Sequence, residues 1–280
     1  MAKQGHQAER QAKDTQDITK RMRRNSIMAI LMAATTVLPA NAWAADNNDD
    51  DNDKVNDIEA TIGADLVSRY IWRGQDYGAV SLQPSLALSY KGLSLEAWGN
   101  VGLSEPQDDE EIDLTLRYEH KCGLHVAVTD YWMAYGKLSL ATGEVSDPNN
   151  RYFAYASHNT NHVFEANIGY DFGLFSFDWF TNFAGDDSRT DNDHRQYSSY
   201  MEANIPFALA TCQWTATVGA VPYKSGFYSE ANGFAVVNVS LRAEKEIEVT
   251  PKFSIPLFAS IAANPSNRKA YMIFGFTLGI

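Results

Sequence analysis

The ionisable side chains of this chain recur at alternate positions rather than in a compact motif. One parity carries Glu59, Asp65, Arg69 and Arg73, then Glu96, then Asp113, Arg117 and Glu119. Further along it carries Glu165, Asp178, Glu202 and Arg242, so acids outnumber arginines. Spaced this way on extended chain, such groups brace neighbouring strands by ion pairing, or line a wet path that favours cations over anions. Nucleophilic or metal chemistry has little support. The histidines beyond the leader are His120, His125, His158, His162 and His194, and no G-x-S-x-G or H-E-x-x-H pattern surrounds them. Within the run from Asp46 to Asp53, Asp49, Asp51 and Asp53 alternate like the start of a calcium loop, but the turn glycine and the closing glutamate are missing. No catalytic residue, metal or cofactor is therefore expected.

Composition narrows the classes. The 280 residues carry a net charge of -12 and a pI of about 4.9, which excludes a general nucleic-acid partner. No stretch approaches the roughly 18 apolar residues of a spanning helix. The first segment reads as an address. A basic cluster at Lys20–Arg24 precedes an apolar run from Ile27 to Leu38, then Pro39 and the small-residue string Ala40-Asn41-Ala42-Trp43-Ala44. Residues 1–44 are expected to be a secretory signal peptide, cut after Ala44 or Ala42, with Met22 as an alternative start. Residues 45–57 are expected to be an acidic, flexible leader.

From Ile58 the chain alternates with a period of two, the signature of strands with unlike faces. The first strand sets Ile58, Ala60, Ile62, Ala64, Leu66, Ser68, Tyr70 and Trp72 against the charged parity and is expected to run to Arg73. Further strands are expected near 80–91, 93–103, 112–119, 124–133, 162–171, 174–183, 198–206, 211–221, 234–243, 252–262 and 269–280. Links alternate in length. Lys91-Gly92, 119–123, 171–173, 207–210 and the longer 244–251 close one end. The links 74–79, 104–111, 134–161, 184–197, 222–233 and 263–268 close the other. Aromatic residues gather near strand ends on the apolar parity: Tyr70, Trp72, Tyr90, Tyr118, Trp132, Tyr170, Phe175 and Phe183. Rings at those places suit membrane–water interfaces. The final strand carries the stripe Met272, Phe274, Phe276, Leu278 and Ile280 to its last residue, as outer-membrane strands read by insertion machinery do.

In hydrocarbon every backbone polar group must be paired, so without helices only a closed barrel survives. The expected fold is all-β: a transmembrane, antiparallel up-and-down β-barrel of about 12 strands over residues 58–280. The link 134–161 is long enough to fold into its mouth, with Tyr131, Tyr135, Tyr152, Phe153 and Tyr155 to pack there. Cys122 and Cys212 fall on strands far apart around such a wall and are expected to stay free thiols.

The segment Ala64-Asp65-Leu66-Val67-Ser68-Arg69-Tyr70-Ile71-Trp72-Arg73-Gly74, with Gln83-Pro84-Ser85-Leu86 and Leu95-Glu96-Ala97-Trp98-Gly99, resembles the opening of exported porin families of the TorF or Gcw_chp type. The resemblance covers those opening strands; beyond them it is one of rhythm. It implies a bacterial outer-membrane barrel and carries over no catalytic residue. Residues and resemblance together predict a porin-like channel for passive diffusion of small neutral or cationic solutes. Its partners would be outer-membrane lipid, lipopolysaccharide and the barrel-insertion machinery. Three alternatives stand beside it: a structural or surface-binding barrel using the acidic loops 108–111 and 185–194, an outer-membrane hydrolase with a lipid-facing serine and histidine, and a soluble periplasmic sandwich.

Overall fold

The computed structural model describes residues 58–104, 110–134, 137–138, 145–146, 151–156, 160–250 and 253–279. Residues 1–57, where a signal peptide and an acidic leader are expected, lie outside them, as do Ser157, His158 and Ile280.

The strands are β1 (Glu59–Val67), β2 (Tyr70–Trp72), β3 (Gln75–Gly78), β4 (Ser81–Tyr90), β5 (Leu93–Gly102), β6 (Glu110–Glu119), β7 (Leu124–Ala134), β8 (Lys137–Leu138) and β9 (Val145–Ser146). They continue as β10 (His162–Asp171), β11 (Ser176–Gly185), β12 (Ser199–Leu209), β13 (Cys212–Val221), β14 (Ala235–Thr250), β15 (Phe253–Asn264) and β16 (Lys269–Gly279). Twelve of them, all but the hairpins β2–β3 and β8–β9, form one closed barrel in chain order. Every neighbour is antiparallel, and β1 closes the wall by pairing Gly63 with Gly279 and Val67 with Gly275. Closure leaves no strand edge unpaired, the condition for a sheet in hydrocarbon.

Alternation sorts the two faces as expected. On β4, Ser81 and Gln83 are buried while Leu82, Pro84, Leu86, Leu88 and Tyr90 are exposed. The outer skin is apolar around the circumference: Ile62 on β1, Leu116 on β6, Ile168 on β10, Ile205 on β12, Ile261 on β15 and Met272 on β16 are all exposed, Met272 by 64%. Buried positions facing inward are polar: Asp65, Gln83, Asn100, Glu111, Asn167, Asn204 and Asn238. An inside-out surface of this extent is stable against acyl chains and not in water. Rings line the short-turn rim, where Tyr90, Tyr118, Tyr170 and Phe175 face outward and Phe207 stacks on Trp214.

The structure corrects four expectations. First, the opening strand stops at Val67, not Arg73. Ser68 still caps β16, donating its N–H to Phe274 O at 2.8 Å and accepting from Phe274 N–H at 3.0 Å. The chain then turns into the barrel as the hairpin β2–β3, so the 74–79 link is not an outer loop. Tyr70 and Trp72 are consequently lumen rings rather than girdle rings: Tyr70 is buried and Trp72 packs on Tyr131 and Tyr228. Arg73 and Gly74 make the tip, with φ of 50° and 79°. That is the left-handed pair a two-residue hairpin turn demands. A Cβ on Gly74 would stand 1.9 Å from Val237 O, so only glycine lets the tip rest against β14.

Second, the 222–233 link also folds inward, and Tyr228 on it is fully buried. Third, β14 continues to Thr250, so the expected 244–251 link is mostly ladder: Glu244 pairs with Phe258 and Ile247 with Ile255. Fourth, one described segment of the 134–161 link, residues 151–156, lies on the outside of the wall. Its Tyr152 packs edge-on against Trp132 and its Tyr155 stacks on His162 at 4.1 Å. Both partners sit on the outward parity of β7 and β10, where His162 pairs with Trp132. The thiols of Cys122 and Cys212 are free.

Candidate functional site: a plugged, acid-lined lumen

The predicted charges fall into three layers along the barrel axis. At the short-turn rim, Glu59 is exposed, and Arg117 lies 3.8 Å from Glu119. Arg242 donates through Nε to Glu244 Oε1 at 2.6 Å and lies flat over the Phe258 ring at 3.8 Å. Nearby, Asp65 accepts from the Thr277 hydroxyl at 2.6 Å. Asp178 accepts from Asn167 at 3.1 Å and sits 2.7 Å from His125 Nε2. Asp65–Thr277 and Asp178–Asn167 brace adjacent strands, whereas Arg117–Glu119 and Arg242–Glu244 each pair along a single strand, β6 and β14.

A cavity of about 230 Å³ runs from Arg117, Arg242 and Glu244 up to Arg73 and Glu165, all of which line it. Glu96, Asp113, Glu202 and Glu244 face it beside Arg117, Arg242 and Arg69. Thr115, Thr129, Thr217 and Ser240 supply neutral hydroxyls between them. Glu202 is held by Tyr200 OH at 2.7 Å and Asn204 Nδ2 at 3.1 Å. Arg69, expected on the wall, instead rides on the inward hairpin, paired with Asp76 at 2.6 Å.

Toward the long-loop end the lumen closes around Arg73. Its guanidinium forks onto Glu165, Nη1 to Oε2 at 2.5 Å and Nη2 to Oε1 at 3.2 Å. Glu165 also accepts from Tyr131 OH at 2.8 Å and from Tyr228 OH. Four rings surround the cation: Phe180 at 3.8 Å, Trp72 at 4.4 Å, Tyr200 at 4.8 Å and Tyr228 at 5.3 Å from the guanidinium carbon. A desolvated guanidinium gains about 2 kcal/mol from such a face and a forked carboxylate bond besides. The hairpin is tied further by Tyr70 OH to Glu111 Oε2 at 2.8 Å and by Asn264 Nδ2 to Gly74 O at 3.1 Å.

Alternation placed Arg73 and Glu165 on the inward parity but did not bring them together. Tyr131 was expected to pack in the mouth, though with the 134–161 link rather than on Glu165; Glu111, Phe180, Tyr200 and Tyr228 were missed. One signal for them was present: Arg73-Gly74 between two short β-prone runs repeats the Lys91-Gly92 turn, whose φ values are 50° and 84°.

Among the described residues, the outer wall holds one histidine–carboxylate pair. His162 Nδ1 stands 2.8 Å from Asp130 Oδ1 and Nε2 2.5 Å from Tyr152 O. Because a carbonyl oxygen only accepts, Nε2 carries a proton, and both ring nitrogens are engaged. Neither is placed to draw a proton from a hydroxyl, so this pair lacks the geometry of a nucleophile's base.

No family model matches the chain, and no curated protein matches it. Among solved structures, the NanC porin is similar at 8% identity and a TM-score of 0.40, covering 78% of this chain and 98% of its own. OmpF of Salmonella typhi, in complex with daunomycin, has 8% identity and a TM-score of 0.35, covering 81% and 98%. BamA of Haemophilus ducreyi lacking POTRA domains 1-3 has 10% identity and a TM-score of 0.35, covering 74% of this chain and 41% of that one. Likenesses this distant add nothing to the strand pairing, on which the barrel itself rests.

Proposed function

We propose that the chain is a bacterial outer-membrane, porin-like channel for passive diffusion of small neutral or cationic solutes. It would be exported through residues 1–44, assembled by the barrel-insertion machinery, and seated among outer-membrane lipid and lipopolysaccharide. The observation that carries this reading is the acid-rich cavity behind a continuous apolar skin. Its arginines Arg69, Arg73, Arg117 and Arg242 stand beside Asp76, Glu165, Glu119 and Glu244, and Glu96, Asp113 and Glu202 face the same cavity, so acids outnumber arginines in setting its potential. A low-dielectric wall focuses that potential, so a cation enters at lower energy than an anion. The resemblance of the opening strands to the TorF or Gcw_chp type supports the same reading.

The test is a planar-bilayer recording of purified protein in a potassium chloride gradient. A small conductance with reversal toward the potassium potential is the expected outcome; a preference for chloride overturns it. A second reading, a closed barrel that works by its outer loops, draws on the hairpin and Tyr228 filling the long-loop half. Absence of current both from the natural chain and from a hairpin-deleted variant would favour it.

A further inference from the structure

The cage around Arg73 is built mostly by the wall. Glu165 comes from β10, Phe180 from β11 and Tyr200 from β12, while Tyr228 comes from the link after β13. Trp72 alone among the four rings shares the hairpin with Arg73. The carboxylate is positioned without help from Arg73, since the Tyr131 and Tyr228 hydroxyls hold it from other elements. Tyr228 is itself fully buried, packed on Tyr200 and Phe227. Gly219 fixes Tyr200, because a Cβ there would stand 1.8 Å from the Tyr200 hydroxyl; the ring lies directly over the bare backbone of β13. If the hairpin swings away, a pre-organised cation site remains.

We propose that this cage is a recognition site for a guanidinium-bearing solute, and that Arg73 is its tethered occupant. The chemistry selects the class. A fork of two N–H groups meets two carboxylate oxygens, and a flat delocalised cation meets ring faces on several sides. An ammonium or an alkali ion has the charge but not the plane. A solute that takes the site displaces Arg73, and the hairpin's other ties, Tyr70 to Glu111 and Asn264 to Gly74, are left to hold it alone. The solute is then both cargo and key. This deepens the channel reading above and rests on it.

The test uses methylguanidinium and the full-length barrel with Arg73→Gln, which keeps a side chain and loses the charge. Binding is read by thermal stabilisation in detergent, and passage by current in a bilayer. The expected result is stabilisation and half-block at about a few millimolar, a range in which the tethered Arg73 of the natural chain keeps the site for itself. Methylammonium should be about tenfold weaker, having no fork. The natural chain should show neither effect at that concentration, and Glu165→Gln added to Arg73→Gln should abolish both. On the unaltered barrel, a much higher methylguanidinium concentration should speed amide exchange over residues 68–80, and methylammonium should not. Equal effects of the two cations, or none on exchange and none on the variant, overturn the proposal. Stabilisation without any current would sink the channel and keep the cage; current insensitive to methylguanidinium would sink the cage and keep the channel.

Discussion

Ala210 and Thr211 form the β12–β13 turn with φ of 53° and 65°, a conformation that crowds any Cβ and a branched one most. Thr211→Gly should therefore stabilise the barrel by about 1 kcal/mol, read as a higher urea midpoint in lipid vesicles. The opposite holds at Gly169. A Cβ there would stand 2.2 Å from both Asp178 Oδ1 and His125 Nε2. Gly169→Ala should cost about 1–3 kcal/mol by the same measurement, because it drives apart a buried pair. In the loop after β11, burial pushes the Asp186 carboxyl up, against the downward pull of Arg189 and Arg195. The folded loop then holds that proton more tightly than the unfolded chain does, so its stabilisation is full at acid pH and is lost as pH rises through the raised value. Nicking of residues 186–198 by protease should increase from acid to neutral pH, and Asp186→Asn should flatten the profile.

At the scale of elements, the hairpin β2–β3 decides how open the barrel is. Replacing residues 69–78 by a short glycine–serine link should raise single-channel conductance several-fold while keeping cation preference, since the acids facing the cavity are on the wall. An unchanged conductance would show that the constriction lies elsewhere. The hairpin also marks where alternation stops being informative. Ser68 to Trp72 keep the period of β1 after the chain has left it, because a strand inside the lumen alternates as a strand in the wall does. Only Arg73-Gly74 marked the reversal. The wall strands themselves were legible, since one face must meet lipid and the other water at every step. The pairing of Arg73 with Glu165 was not, for it joins residues 92 apart through a fold that must close first. The rings of Phe180 and Tyr200 sit on the inward parity, but residue type alone does not say that a cation lies between them.

At the scale of the whole molecule, the apolar skin and the wet interior make separate predictions for tryptophan. Trp214 stacks on Phe207 on the outer face, whereas Trp98 is buried in the lumen beside Tyr70. In vesicles of brominated lipid, a variant retaining only Trp214 should be strongly quenched and one retaining only Trp98 scarcely at all. Equal quenching of the two would contradict the assignment of faces.

The cylinder is not the same on every flank. Where residues 151–156 cross the outside of β7 and β10, Tyr152 seals the contact between His162 and Asp130, while Phe153 projects outward with 87% of its surface bare. A polar couple set among hydrocarbon would otherwise draw headgroups and water down the wall. Capped in this way, that flank presents the Phe153 ring from a segment laid over the wall, whereas the strands opposite, β15 and β16, present Ile261, Met272 and Phe274 from the wall itself. The barrel thus has a front and a back.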